Sequence, residues 1–213
     1  MNHISVKALI GRMISLAVLS LVLISCRVYE VDPGHLVRSP QPKKDQLQQA
    51  FNKYGIRTVI NLRGANPGAK WYDDEKEVTA QNAVTLVDIP MSASRLPHRR
   101  DLLKLLDTYR NSPKPILIHC LRGIDRTGEA AALYELIYMK KTKEEALKML
   151  SLEFGYMGEL FPAKKYFIKD VWVDEDWAYR EYDPCSGKYK HYDVNDPVCH
   201  GGEPAKLTEA DDT

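Results

Sequence analysis

The fold is restricted most by ten consecutive residues between a predicted strand and a predicted helix: His119-Cys120-Leu121-Arg122-Gly123-Ile124-Asp125-Arg126-Thr127-Gly128. The apolar run Ile116-Leu117-Ile118 before them is typical of a short buried strand, and residues 129–139 have the composition of a helix. Five residues separate Cys120 from Arg126. A loop of that length can curl its backbone N–H groups inward at the start of a helix. Residues 119–128 therefore predict a cradle for an anion, and we call this segment the cradle.

The residue types in the cradle suit the capture of a phosphate dianion. Arg126 can hold two phosphate oxygens through its guanidinium fork, and Gly123 relieves crowding where the loop must turn. The same positive surroundings favour a thiolate at Cys120 and lower the pKa of this thiol below its ordinary value. We expect His119 to orient the loop from behind and Thr127 to donate a hydrogen bond to the sulfur. The predicted phosphate-binding residues are Leu121, Arg122, Gly123, Ile124, Asp125 and Arg126.

Apolar runs alternate with helical patterns over the rest of the chain. Residues 56–62 and 84–89 are apolar and rich in β-branched side chains, and they predict two further buried strands. Residues 36–42 are predicted to be extended, with prolines that block regular structure. Apolar spacing, acidic first turns and a capping box predict helices at residues 43–54, 73–82, 100–109, 142–152 and 163–172. Strands that alternate with helices indicate an α/β fold, with a mainly parallel central sheet flanked by helices.

With these residues in place, the chain resembles the protein tyrosine and dual-specificity phosphatase superfamily, and most of all its atypical bacterial dual-specificity-like members. The cradle matches the family signature HCxxGxxR[ST]G at His119, Cys120, Gly123, Arg126, Thr127 and Gly128. The stretches RSPQP at 38–42 and GIRTVINLR at 55–63 are similar to the start of that branch, so the resemblance covers about residues 36–169. It implies a cysteine-phosphatase-like fold. It also implies hydrolysis of phosphomonoesters through a cysteinyl-phosphate intermediate, with neither a metal nor a cofactor.

The implied reaction needs a proton donor for the leaving oxygen, and two aspartates compete for that role. Asp125 lies inside the cradle and resembles the aspartate in a Gly-x-Asp-Arg-Thr ending, which is the proposed acid in a subset of the family. Asp88 lies 32 residues before Cys120, roughly where members with a mobile loop keep their acid. We favour Asp125 and keep Asp88 as the second candidate. Either carboxylate could instead brace a loop or cap a turn.

Further arginines could support the cradle or change its specificity. Arg63 ends the first core strand and would lie at the sheet edge that carries the cradle, where it could support the phosphate, brace the loop or form a surface ion pair. Arg122 on the cradle rim could recruit a second negative group. Some phosphoinositide-preferring relatives carry lysine at the position of Ile124, which weakens a lipid-phosphate interpretation. That interpretation stays open because further arginines border the expected site: Arg95, Arg99 and Arg100.

The first 26 residues have the pattern of an export signal. A basic start is followed by 13 uncharged residues at positions 13–25, fewer than the roughly 20 needed to span a bilayer. The sequence Leu23-Ile24-Ser25-Cys26 resembles the bacterial lipoprotein signal box, in which the cysteine becomes lipidated after cleavage. An uncleaved membrane anchor is the alternative. Both interpretations predict a membrane-attached, extracytoplasmic protein.

Charge divides the remaining chain into two parts. Residues 26–169 contain 24 Lys and Arg against 17 Asp and Glu, whereas residues 170–213 contain 4 against 12. A basic body suits an anionic substrate, and a hydrophobic content of 44% is enough for a core. We therefore expect a catalytic domain at residues 27–176 and an acidic, partly irregular tail at residues 177–213. No nucleic-acid partner is expected.

Two cysteines, Cys185 and Cys199, lie in this tail. Export would bring them into an oxidising compartment, where a Cys185–Cys199 disulfide is their natural use. His191 and His200 raise zinc binding as an alternative, but the spacing matches no common zinc motif, and no metal site is predicted. The aromatic side chains of the tail are expected to pack it rather than to bind a ligand.

Two other classes of function fit parts of the pattern. A phosphate-recognition module would bind a phosphorylated ligand without turnover if the proton donor were missing. A sulfur transferase or an arsenate reductase could use Cys120, but rhodanese-like loops differ in length and a reductase generally needs a resolving thiol nearby. We therefore expect a cysteine-dependent phosphatase that acts on a phosphorylated protein or on a small phosphomonoester such as an inositol phosphate.

Overall fold

A computed structural model describes residues 28–158, 160–192 and 194–202, so Cys26 and the expected export signal lie outside the described residues. Within these ranges, five strands form one sheet: β1 Tyr29–Asp32, β2 Leu36–Ser39, β3 Thr58–Asn61, β4 Thr85–Asp88 and β5 Ile116–His119. Their order across the sheet is β1-β2-β5-β3-β4. The first pair is antiparallel, and the remaining pairs are parallel. The predicted α/β fold with a mainly parallel sheet is confirmed.

Seven α-helices accompany the sheet in the described ranges: α1 Lys44–Tyr54, α2 Lys70–Gln81, α3 Arg99–Asn111, α4 Asp125–Ile137, α5 Lys143–Ala146, α6 Pro162–Tyr166 and α7 Glu175–Arg180. Alternate strand residues face two separate cores, because side chains of a strand point to opposite faces of the sheet. Ile60, Ile116 and Ile118 belong to the larger core with α3 and α4. Val59 and Leu117 belong to the smaller core with α1 and α2. The helices therefore cover both faces, and the central strands are buried throughout.

Strand register brings the functional segments to one edge of the sheet. Asn61 at the end of β3 lies opposite both His119 at the end of β5 and Asp88 at the end of β4. Ligand sites in parallel α/β sheets lie at the carboxyl ends of the strands. The cradle follows β5 directly, so it occupies this edge.

Local departures from the predicted elements have identifiable causes. The predicted helix at 142–152 is an α-helix only over Lys143–Ala146, followed by 3₁₀ turns at Leu147–Leu150 and Leu152–Phe154. The Met149 carbonyl accepts a hydrogen bond from Arg38 Nη1 at 2.9 Å, so a side chain satisfies a group that a continued helix would have used. The capping box at Thr142 and Glu145 forms as expected. The sequence did not predict β1, which pairs as a short edge strand.

The end of the described chain packs onto the α/β body. After α7 it contains only short 3₁₀ turns, at Pro184–Ser186 and Pro197–His200, which agrees with the expected irregular tail. Tyr182 is fully buried, and its ring lies within 6 Å of the Phe167, Trp177 and Tyr189 rings, with centroid distances of 5.6, 5.2 and 5.8 Å. Aromatic burial thus attaches the tail to the larger core. None of the helices in the described ranges has the length and apolarity needed to cross a membrane.

Candidate active site

The backbone of the cradle is fixed by a buried arginine from β2. Arg38 is 2% exposed, and its Nη2 donates to the Gly123 carbonyl at 2.7 Å while its Nη1 donates to the Met149 carbonyl. The Gln41 N–H also donates to the Leu121 carbonyl, at 3.0 Å. The Leu121 and Gly123 carbonyls are thereby turned outward toward these donors, while the Gly123 and Thr127 N–H groups face the Cys120 sulfur.

Gly123 occupies a position that no other residue fits. Its φ is +70°, in the left-handed region that L residues rarely adopt. A Cβ at this position would lie 2.6 Å from the Pro40 nitrogen and 2.7 Å from the Ser39 carbonyl carbon and oxygen. The glycine therefore allows both the turn of the cradle and its close approach to the segment after β2.

Cys120 lies at the base of the cradle and is 2% exposed. Burial raises the pKa of its thiol, but the charge of Arg126 and hydrogen bonds from Thr127 and from the Gly123 backbone lower it more, so the pKa lies below the ordinary value. The Thr127 hydroxyl is buried and has no oxygen or nitrogen partner among the described residues, which leaves it available to the sulfur. Cys120 is the free cysteine of the described chain, and its surroundings favour the thiolate.

Arg126 lies in the first turn of α4 and is 2% exposed. Its Nη1 donates weakly to the Met91 carbonyl, at 3.5 Å. Met91 belongs to residues 89–98, which run from β4 to α3 and which we call the site loop. The guanidinium is thus held beside Cys120 and the site loop, where an anion above the sulfur would meet it.

Asp125 begins α4 and is 6% exposed. Burial raises the pKa of its carboxyl above the ordinary value, although the charges of Lys164, Arg122 and Arg126 act in the opposite direction. Its Oδ1 is buried and has no hydrogen-bond partner among the described residues. A buried carboxyl whose Oδ1 is not used in a structural hydrogen bond is suited to general acid chemistry.

Asp88 has a different environment. Its Oδ1 accepts a hydrogen bond from Asn61 Nδ2 at 2.8 Å, and its Oδ2 accepts one from the Tyr72 hydroxyl at 2.7 Å. Adjacent strands are about 4.8 Å apart, so Asp88 on β4 lies about 10 Å from His119 on β5. Both of its oxygens are used to join β3, β4 and α2. This geometry favours the structural interpretation of Asp88.

His119 is the last residue of β5 and directly precedes Cys120. It has no exposed surface, and its Nε2 lies 2.7 Å from Glu75 Oε1 of α2, a carboxylate that is itself 2% exposed. No local pattern connects this histidine with Glu75, which lies 44 positions earlier in the chain. The contact orients the imidazole toward α2 and away from the anion site.

The arginines around the cradle divide into bracing and exposed side chains. Arg63 Nη1 donates to Gln41 Oε1 at 3.0 Å, and its guanidinium lies 3.6 Å from the centroid of the Trp71 ring. Because Gln41 also contacts the cradle backbone, Arg63 is one contact away from the cradle, which suits a bracing role. Arg122 is exposed on the rim.

The tail holds the site loop through contacts that the sequence did not predict. Arg95 Nη1 lies 2.8 Å from Asp196 Oδ2, the Leu96 N–H donates to the His191 carbonyl at 3.0 Å, and the Pro97 carbonyl accepts a bond from Tyr182 at 2.7 Å. We call these three contacts the clamp. Their tail residues flank or lie between Cys185 and Cys199, whose sulfurs form a disulfide with an S–S distance of 2.02 Å.

The disulfide also bears on the zinc alternative. Both tail thiols are oxidised, so Cys185 and Cys199 are not available as zinc ligands beside His191 and His200. The His191 ring instead lies 5.5 Å from the Tyr166 ring. No cluster of three or more His, Cys, Asp and Glu side chains in residues 28–158, 160–192 and 194–202 could hold a metal ion.

Sequence reasoning missed three buried charged residues near the cradle: Arg38, Glu129 and Lys164. A signal existed for Arg38, because it is a charged residue in a strand with apolar neighbours. Glu129 lies one helical turn after Asp125, but its role is set by Lys164, which is 35 residues away. No local pattern distinguishes Lys164 from the exposed Lys165 beside it.

Known proteins share both the sequence and the architecture of this site. A family described as "DSP-PTPase phosphatase fused to NAD+ Kinase" matches residues 33–165, which include the whole cradle. The chain belongs to the dual-specificity phosphatase superfamily. Tyrosine-protein phosphatase vhp-1 of Caenorhabditis elegans is a superfamily relative with 31% identity over 153 residues, covering 67% of this chain and 21% of the nematode protein.

A bacterial phosphatase is a further relative within the superfamily. Dual specificity protein phosphatase TpbA of Pseudomonas aeruginosa, strain UCBPP-PA14, is 26% identical over 145 residues, which cover 67% of this chain and 62% of TpbA. The chain thus spans less than two thirds of the length of either curated relative. A crystal structure of TpbA with pTyr has a TM-score of 0.55 at 22% identity, covering 70% of this chain and 86% of that one.

The catalytic core of the Saccharomyces cerevisiae PP-IP phosphatase SIW14 has a similar structure. Its TM-score is 0.57 at 21% identity, and the match covers 70% of this chain and 87% of the yeast domain. At such identities, structural similarity supports the fold alone. The cysteine-phosphatase-like architecture expected from the cradle is confirmed by these matches.

Proposed function

We propose that this phosphatase domain hydrolyses phosphomonoesters through a cysteinyl-phosphate intermediate, with neither a metal ion nor a cofactor. The observation that carries the proposal is the state of Cys120. Its pKa is lowered, against the effect of burial, by Arg126 and by hydrogen bonds within the cradle. A buried thiol gains nothing structural from such surroundings, whereas a nucleophile needs its thiolate.

In the first half-reaction, the Cys120 thiolate attacks phosphorus and the bond to the leaving oxygen breaks. Arg126 and the inward N–H groups of residues 121–126 hold the three equatorial oxygens, where negative charge accumulates. Asp125 gives its proton to the leaving oxygen. Burial raises the pKa of this carboxyl, which favours the protonated form that this step requires.

In the second half-reaction, a water molecule attacks phosphorus and the sulfur–phosphorus bond breaks. The Asp125 carboxylate, deprotonated in the first step, takes a proton from the water. Thr127 donates a hydrogen bond to the departing sulfur, which returns as the thiolate. Inorganic phosphate leaves, and Cys120 and Asp125 return to their starting protonation states. No atom changes its oxidation state.

The proposal is tested with the full chain in detergent micelles and an excess of chelator, using p-nitrophenyl phosphate labelled with radioactive phosphorus. We expect turnover, and rapid acid quenching should trap label on the protein. Cys120→Ser should abolish both turnover and the trapped label. Turnover that survives Cys120→Ser would overturn the mechanism. Tight binding of the phosphate ester without any product would instead identify a phosphate-recognition module.

For the substrate, we propose a phosphorylated side chain, with an inositol phosphate as the second candidate. The relative TpbA was crystallised with pTyr, and SIW14 is a PP-IP phosphatase, so the superfamily relatives include both classes. The exposed Arg122 on the rim favours a substrate with a second negative group. In a chelator-containing panel of phosphopeptides, phosphoinositides and soluble inositol phosphates, Arg122→Gln should raise KM most for the substrate with the most charges.

We further propose that the protein is attached to a membrane on its extracytoplasmic side. The proposal rests on the uncharged run at 13–25, on Cys26 in its signal-box context, and on a disulfide that is typical of oxidising compartments. Metabolic labelling with a radioactive fatty acid should modify the wild-type protein and not Cys26→Ala. A labelled Cys26→Ala variant would contradict lipidation at this residue.

A further inference from the structure

Lys164 in α6 is a lysine with no exposed surface, adjacent to the site. Its Nζ donates to Glu129 Oε2 at 3.0 Å and to the Arg95 carbonyl at 2.7 Å. Glu129 in α4 is likewise fully buried. This one ammonium group therefore joins three segments: α6, the helix that begins in the cradle, and the site loop.

Such a pair is costly as a purely structural device. Moving two ions out of water is costly, and a well-packed apolar pair is often as stable. Glu129 Oε1 has no hydrogen-bond partner among the described residues, so the pair is also incompletely satisfied. Burial raises the pKa of Glu129 to about 7 despite its lysine partner, and burial lowers the pKa of Lys164. A costly charged pair next to a reaction site calls for a functional explanation.

Asp125 is the site carboxyl on which this pair acts. Asp125 and Glu129 are four residues apart on α4 and so share one face of the helix. Five side chains interact electrostatically with the Asp125 carboxyl. They are Lys164 from α6, Arg122 and Arg126 from the cradle, Glu129 from the same helix, and Tyr156 from the segment before α6. After burial, Lys164 is the strongest influence on the pKa of Asp125, and it favours the carboxylate.

We propose that Lys164 is a positioning residue for Asp125, which sets the proton affinity of the acid while fixing the site loop above it, and that Glu129 balances its charge. The inference rests on the proposed function. Lys164 and Glu129 touch neither substrate nor sulfur. They act through Asp125, which must release its proton in one half-reaction and recover it in the next.

The pair makes an unusual prediction, because its two members act on Asp125 in opposite directions. Lys164→Met removes a positive charge, so Asp125 should hold its proton to higher pH. Glu129→Gln keeps an oxygen that can accept from Lys164 but removes the compensating negative charge, so Asp125 should lose its proton at lower pH. A charge near a carboxyl shifts its pKa by about one unit or more.

The test is the alkaline limb of kcat against pH, measured with phenyl phosphate, whose poor leaving group requires an acid. Lys164→Met should shift this limb to higher pH by about one unit, and Glu129→Gln should shift it to lower pH. Lys165→Met is the matched control, because Lys165 is the exposed neighbour of Lys164 and should leave the limb in place. Near-ultraviolet circular dichroism of each variant reports whether it folds.

The outcomes separate this inference from the proposed function. Opposite shifts that vanish in an Asp125→Asn background establish the positioning role. An unmoved limb, or shifts in the same direction, would overturn it while leaving the phosphatase proposal intact. Absence of any turnover by the wild-type protein would instead reject the proposed function. If Lys164→Met fails to fold, Glu129→Gln decides alone, since an unmoved limb in that variant would show that the charges of the pair do not influence Asp125.

Discussion

Arg38 Nη2, on strand β2, donates a hydrogen bond to the carbonyl of Gly123 at 2.7 Å. Gly123 is the residue at which the cradle turns. The same guanidinium lies 4.1 Å from the centroid of the Phe154 ring and satisfies the Met149 carbonyl. One side chain thus fixes the cradle, the 3₁₀ turns after α5 and β2 relative to one another. The anion site is pre-organised from behind by a group that never meets the anion.

Replacing Arg38 with lysine should therefore damage the cradle although the charge is retained. A lysine cannot serve two carbonyls in the forked geometry, so one buried carbonyl loses its donor at a cost of about 1–3 kcal/mol. We expect a lower unfolding free energy and at least a tenfold loss of kcat/KM. Arg57→Lys, at an exposed position on the opposite edge of the sheet, should change neither. Wild-type kinetics in Arg38→Lys would refute the bracing role.

The lowered pKa of Cys120 predicts a pH profile for alkylation. The thiolate reacts and the thiol does not, so the rate with iodoacetamide should rise with pH through a midpoint below that of an ordinary thiol. Arg126→Met should move the midpoint upward, because it removes the largest influence that opposes burial. Inorganic phosphate should protect the wild-type protein. A midpoint at the ordinary thiol value would show that the cradle does not activate the sulfur.

Asp125 and Asp88 can be separated through the leaving group. Asp125→Asn should lower kcat by about 10² or more for phenyl phosphate and much less for p-nitrophenyl phosphate, because the better leaving group departs without a proton. Asp88→Asn loses an acceptor for Asn61 and Tyr72, so it should lower stability while treating both substrates alike. The reverse pattern would assign the acid to Asp88. Rates over a pH series for each substrate provide the measurement.

The disulfide should contribute to stability and to the geometry of the site loop. Cys185 and Cys199 are 14 residues apart, and a cross-link of that span stabilises by about 3 kcal/mol in the chain-entropy model. A Cys185→Ser, Cys199→Ser double variant should unfold at lower denaturant concentration. Its KM should rise, because the clamp on residues 95–97 is less restrained. The single variant Asp196→Asn removes one clamp contact with the disulfide intact, and it should reproduce part of the KM effect alone. Unchanged KM in both would show that the clamp does not influence the site.

Local patterns were sufficient to predict the central architecture. The apolar run before Cys120, the glycine at the turn and the arginine at the helix start each reflect a local requirement of a strand, a turn and a helix. The structure brings them together in that order. The alternation of apolar strands with amphipathic helices likewise predicted the parallel sheet, because buried parallel strands need apolar side chains on both faces.

Contacts between distant segments were beyond the reach of such patterns. Glu75 behind His119, Lys164 beside Glu129 and the clamp on the site loop all depend on which surfaces meet after folding. Lys164 and Lys165 are identical in type and adjacent in sequence, yet one is fully buried and the other exposed. The short β1 strand escaped prediction because its stability comes from pairing with β2 rather than from its own composition.

The clamp links the position of the site loop to the formation of the Cys185–Cys199 disulfide in the tail. Residues 95–97 are held by a segment whose own shape is closed by one sulfur–sulfur bond. The site loop is therefore fully restrained only after the Cys185 and Cys199 thiols have been oxidised to the disulfide. A precursor that is still reduced would then bind phosphate esters more weakly than the mature protein, because its site loop is less restrained.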